Sequence, residues 1–94
     1  MLTIEKKSAN ELKFKGRLDA SQAEKAANHL SKSEETVTID MSDLDYISSM
    51  GLSILVNTYK RLEKNGHTVR LKNMNDHVRD VFKFTRLDQI FTIE

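Results

Sequence analysis

Two adjacent hydroxyls, Ser48 and Ser49, stand within Asp45-Tyr46-Ile47-Ser48-Ser49-Met50-Gly51-Leu52, where an apolar run gives way to a helical repeat. A serine there can act as a nucleophile, cap a helix or line an anion site. The surrounding S-S-M-G-L lacks the first glycine of the G-x-S-x-G nucleophile elbow and follows an acidic stretch, which argues against a hydrolase. His29, His67 and His77 are scattered without HxxxH spacing and there is no cysteine, so a zinc site is not expected. Neither G-x-x-x-x-G-K-[ST] nor G-x-G-x-x-G occurs, so the chain carries no nucleotide motif. The expectation is a protein that is not an enzyme, with no catalytic residue, metal or cofactor. An anion sensor at Ser48 to Gly51 is physically reasonable, but no selective residue supports it.

The elements around the serines explain their placement. Leu52, Leu55, Val56, Tyr59 and Leu62 follow at i, i+3, i+4, i+7 and i+10, one stripe of a helix that buries against a sheet. Either serine can be the N-cap, because a serine oxygen accepts from the unpaired N–H groups of the first turn. Gly51 costs up to about 1 kcal/mol relative to alanine in a first turn, so another backbone or a partner must come close to it. Ser49, Ser53 and Asn57 recur four apart as a polar seam with Met50 at its mouth. That seam is either plain solvent face or a partner surface with an adaptable methionine at its rim.

Ninety-four residues suit one domain with one core, residues 1–94. The formal charge of +1 provides no field toward nucleic acid or anionic lipid, and no partner of either kind is expected. The start Met1-Leu2-Thr3-Ile4-Glu5-Lys6 lacks the apolar core of a signal peptide, and no long apolar run occurs. The expectation is a cytoplasmic protein.

Leu2 and Ile4, then Leu12, Phe14 and Gly16, alternate with polar residues as two strands joined at Ser8-Ala9-Asn10. Lys13, Lys15 and Arg17 fall on the other face, as a solvated surface that discourages edge pairing. Asp19 and Ser21 are both potential caps, Ser21-x-x-Glu24 fits a capping box, and Ala23, Ala26, Ala27 and Leu30 follow at helical spacing. Val37, Ile39 and Met41 alternate as the central strand, after which Asp40, Asp43 and Asp45 are expected to crowd the approach to Ser49. Gly66 ends the organising helix in a left-handed position, and Val69 and Leu71 mark another strand. Asn73 or Asn75 caps a helix through Val78, Val81 and Phe82, and Ile90, Phe91 and Ile93 close the chain as a short strand. The order β-β-α-β-α-β-α-β predicts an α/β domain whose small mixed sheet is parallel in its later strands, with helices chiefly on one face.

Ile39-Asp40-Met41, Asp43-Leu44, Tyr46-Ile47 and Gly51-Leu52 resemble, in order and spacing, the pattern of the phosphorylatable STAS proteins, the anti-sigma-factor antagonists of bacteria. Gly16-Arg17-Leu18-Asp19 is similar to that family's Gly-x-Leu-Asp turn, and Val78 to Leu87 resembles its final helix and turn. The resemblance covers nearly the whole chain and implies the STAS fold. Aligned on Gly51-Leu52, it puts Ser49 at the phosphoacceptor position, Ser48 where aspartate is usual and Met50 where Ser or Thr is usual. Ser48 is the alternative acceptor. The resemblance further implies a partner surface made by Asp19, Ser21, Ser48, Met50, Gly51, Ser53 and Asn57, which docks on an anti-sigma factor that is also an ATP-dependent serine kinase. Phosphorylation would break the dock and a phosphatase would restore it. The alternative is a constitutive, unphosphorylated STAS subunit of a transport or signalling assembly in which Ser49 is only a cap.

Overall fold

Alternating apolar residues build the first two strands. In the computed structural model, which describes all 94 residues, β1 (Leu2–Ser8) and β2 (Glu11–Leu18) form an antiparallel hairpin with Ile4 opposite Phe14. Three parallel strands follow, β3 (Val37–Ile47), β4 (Val69–Lys72) and β5 (Thr92–Ile93), giving a five-stranded sheet in the order β1-β2-β3-β4-β5. The crossovers carry α1 (Ala23–Leu30), α2 (Ser49–Glu63) and α3 (Asp76–Phe84). Each moves one strand along in the same direction, so the right-handed rule places all three helices on one face. The expected element order and mixed sheet are therefore both present.

Side-chain parity agrees with that placement. Leu12, Phe14, Val37, Ile39, Met41, Val69 and Leu71 point to the helices and are buried, in one core with Leu18, Leu55, Val78 and Phe82. The alternate residues form an open, charged face. There Lys15 and Lys7 reach Glu5 at 2.9 and 3.0 Å, Lys13 reaches Asp43 at 3.2 Å, and Lys72 reaches Glu11 at 2.8 Å. The hydrogen bond from Lys15, then that from Lys7, pulls the Glu5 carboxyl down to about 2. Lys13 and Lys15 thus serve the solvated-face role expected of their row.

Helix ends follow local chemistry, with one exception. Asn75, not Asn73, caps α3: its Oδ1 accepts from the Val78 N–H at 2.9 Å, while its Nδ2 donates to the Leu44 carbonyl at 3.0 Å. Gly66 is left-handed, as expected, at φ +79°. The Ser21–Glu24 capping box does not form. Ser21 lies inside a 3-10 turn, Ala20–Gln22, with its hydroxyl turned to Asp19, and α1 starts from Gln22 without a side-chain cap. Gln22 has another task, since its Oε1 accepts from the Leu2 N–H at 3.2 Å and ties the chain start to the core.

The acidic stretch expected after the central strand is itself strand. β3 continues through Asp43 and Asp45 to Ile47, and two irregularities against β2, between Lys13 and Lys15 and between Gly16 and Arg17, absorb the extra residues. These shifts keep Leu44 and Ile47 on the buried side while Ser42, Asp43 and Asp45 stay exposed.

Candidate functional site

β2 and β3 end side by side, with Leu18 opposite Ile47, and the Ser48 N–H donates to the Leu18 carbonyl at 2.9 Å. The chain turns at that point into α2. Asp19 and Ser21 leave the neighbouring strand, so the two polar groups share the carboxyl edge of the parallel strands, a common place for binding surfaces in α/β sheets.

Ser48 is the N-cap. Its backbone is extended and its Oγ accepts from the Gly51 N–H at 3.1 Å, while its carbonyl takes the Leu52 N–H at 2.9 Å. Ser49 is thereby released from structural duty. It is the first helical residue, it is exposed, and its hydroxyl makes no hydrogen bond within the chain. Assigning Ser49 as a mere cap is corrected by this geometry. Replacing Ser48 by alanine is expected to lower stability by about 1 kcal/mol, whereas Ser48→Asp retains an acceptor at the cap and melts near wild type; thermal unfolding of the two variants checks this.

Gly51 is buried, and a methyl group on it would come to 2.8 Å from Leu18 Cγ, 2.9 Å from the Leu18 carbonyl oxygen and 3.0 Å from Ile47 Cγ1. The expected close approach is therefore an intramolecular backbone. Gly51 offers no surface to a partner and supports the site from beneath, which corrects its inclusion among contact residues.

The remaining predicted residues are exposed on one side of α2. Met50 is 55% exposed, Ser53 and Asn57 are exposed below it, and the Ser53 hydroxyl donates to the Ser49 carbonyl at 3.1 Å. Asn57 also lines a groove of ≈ 250 Å³ with Ala27, Ser31, Ile54, Thr58 and Arg61. Arg61 was not anticipated, although it continues the 49, 53, 57 spacing by one more turn. Its guanidinium donates to the Ser33 and Leu30 carbonyls at 2.7 and 2.8 Å, closing the C-terminal end of α1 and fixing one wall of the groove.

Asp19 is half-buried, and its Oδ1 accepts from the Ser21 hydroxyl at 2.6 Å, which holds its carboxyl below the usual range. Arg17 lies 3.9 Å from the other carboxylate oxygen and stacks 4.2 Å above the Tyr46 ring. The Arg17–Tyr46 stack escaped sequence reasoning because the pairing depends on the irregular register between the two strands.

The expected crowding of Ser49 by Asp40 and Asp43 does not occur, and Asp45 is exposed on β3. Asp43 is held by Lys13, and Asp40 accepts from the Ser42 N–H at 2.9 Å and from Asn73 at 3.3 Å. At about 3.3 Å per residue, Asp43 lies roughly 13 Å down the strand from Ile47, beyond the Debye length at physiological salt. No group of three or more His, Cys, Asp or Glu is arranged to hold a metal, and no helix is long and apolar enough to cross a membrane.

The fold recurs in known proteins. The family model for the STAS domain matches residues 3–94. This chain belongs to the STAS family. It is 36% identical over 72 residues to a putative anti-sigma factor antagonist, BtrV, of Bordetella bronchiseptica, covering 77% of this chain and 61% of that protein. It is 33% identical over 55 residues to the anti-sigma-B factor antagonist of Bacillus subtilis, covering 58% and 50%. The match thus spans between half and about three-fifths of the length of these curated relatives. Among solved structures, the anti-sigma factor antagonist SpoIIAA in its unphosphorylated form superposes with a TM-score of 0.80 at 20% identity, covering 100% of this chain and 88% of that one. A putative anti-sigma factor antagonist from Thermotoga maritima gives 0.81 at 22% identity, covering 98% and 84%. Both share this STAS fold.

Proposed function

We propose that this STAS protein is an anti-sigma factor antagonist whose docking is controlled by phosphorylation of Ser49. The observation that carries the reading is the division of labour between the two serines: Ser48 caps α2, and Ser49 is exposed with an unengaged hydroxyl. A phosphate on Ser49 leaves the cap intact and gains from the helix N-terminus, an attraction of about 0.3–1 kcal/mol. The modification therefore preserves the fold and alters the surface. The unmodified protein docks through Asp19, Ser21, Ser49, Met50, Ser53 and Asn57 on an anti-sigma factor that is also a serine kinase, and frees that kinase's client. The γ-phosphoryl group of ATP then passes to Ser49 Oγ, the hydroxyl proton leaves to a base of the kinase, and ADP departs. A phosphatase hydrolyses the ester and resets the switch. ATP belongs to the partner, and this chain touches neither DNA nor membrane.

The test is incubation with the cognate kinase and ATP, followed by intact mass and peptide mapping. A single added phosphate on Ser49 is expected; no phosphate, or one on Ser48 alone, overturns the assignment. One observation favours the second reading, a constitutive STAS subunit: Ser48 supplies the cap without the charge of the aspartate usual there. Under that reading Ser49→Ala and Ser49→Asp bind the partner alike. Because Ser48 already caps the helix, neither change should cost much stability.

A further inference from the structure

The outer side of α3 carries the largest apolar exposure that the Ser49 surface does not use. Phe84 is 88% exposed at the end of that helix. Val78 and Phe82 turn into the core, which leaves His77, Asp80 and Phe84, spaced i, i+3 and i+7, along an outward ridge with Lys83 beside it. Asp80 and Lys83 take part in no ion pair, in contrast to Glu5, Glu11, Lys13, Lys15, Asp43 and Lys72 on the open face of the sheet. A bare aromatic flanked by one free acid and one free base is an unusual finish for a helix that needs no partner, since phenylalanine is among the most often buried residues.

We propose that α3 packs antiparallel against α3 of a second copy of this chain, in a weak twofold dimer. The argument is self-complementarity. With the twofold axis near residue 82, the acid of each helix comes level with the base of the other, so that Asp80 meets Lys83 of the second copy and Lys83 meets its Asp80. An axis perpendicular to the helices keeps each side chain on its own flank, so both pairs form together. The two Phe84 rings then overlap, offset, between them, the geometry aromatic pairs prefer. A second copy fits better than an unrelated partner because one ridge supplies the acid, the base and the apolar anchor. The formal charge of +1 gives little repulsion between copies. A nine-residue helix is about 14 Å long, too short to bury the roughly 1,000 Å² of a lasting complex, so the association is a transient one. It involves a different helix from Ser49 and leaves the α2 surface free.

Sedimentation equilibrium of the full chain over a wide concentration range tests the proposal. Wild type is expected to self-associate with a dissociation constant on the order of 100 µM, and Phe84→Ser and Lys83→Asp each to weaken it by about tenfold or more. Both side chains are exposed, so the variants keep the fold, which circular dichroism confirms. The double reversal Asp80→Lys with Lys83→Asp restores the ion pairs in the opposite sense and should return association to within about threefold of wild type. A wild-type protein that stays monomeric at about ten times that concentration, a Phe84→Ser variant that associates as well as wild type, or a double reversal with no recovery each overturns it.

Discussion

Gly51→Ala is expected to lower stability by about 2 kcal/mol, which for a domain of this size is a fall of roughly 10 °C in melting temperature. Two effects oppose each other. Alanine in place of glycine improves helix propensity by up to about 1 kcal/mol, so on local grounds the variant should be more stable. Against this, the added methyl meets the Leu18 carbonyl oxygen at 2.9 Å and Leu18 Cγ at 2.8 Å. The carbonyl cannot swing aside cheaply, because it is the acceptor for the Ser48 N–H at 2.9 Å. Relief therefore requires α2 to move away from the ends of β2 and β3, and overpacking of this kind typically costs about 1–3 kcal/mol. Gly66→Ala is the informative control. Nothing lies within 4 Å of a methyl group there, but φ is +79°, so the expected loss is only the left-handed backbone cost of about 1 kcal/mol. Thermal and urea unfolding of the two variants separate crowding from backbone strain, and a Gly51→Ala protein that melts at or above wild type would refute the packing account.

What the sequence revealed divides along physical lines. Period-two and 3.6-residue patterns found β1 to β5 and α1 to α3 because each element buries one face in a single core, and burial leaves a repeat that can be read. Gly51 announced itself for a similar reason: a residue unfavourable in its own element points to a neighbour. The misses concern side chains whose partners are fixed only by register. Nothing local says that Ser21 turns its hydroxyl to Asp19 instead of capping α1, or that Gln22 is drawn off by the Leu2 N–H. The acidic stretch does not read as strand because alternation is interrupted at the two irregularities in β3, which re-aim Asp43 and Asp45 outward. The choice of cap between Ser48 and Ser49 depended on where the extended backbone ends, and a one-residue difference there decides which hydroxyl is free.

That freedom sets the last expectation. If docking is switched at Ser49 as proposed, Ser49→Asp weakens binding to the anti-sigma factor by about a hundredfold, or 2.7 kcal/mol, while Ser49→Ala and Ser49→Asn stay within a few fold of wild type. The carboxylate stands in for the phosphate with less charge. In the free protein it is tolerated, since an acid in the first turn of a helix is favoured by about 0.3–1 kcal/mol and Ser48 continues to cap Gly51. In the proposed complex it would lose its water beneath the partner, and an unpaired polar or charged group in that position costs several kcal/mol. The helix-end attraction is too small to offset that loss, so affinity falls while the melting temperature holds. Asparagine is close to aspartate in shape and lacks the charge, which makes it the control for bulk. Calorimetric titration of the three variants against the partner, paired with melting curves, gives a clear decision. If Ser49→Asp and Ser49→Asn bind equally well, charge at this position does not govern docking, and the constitutive reading takes its place.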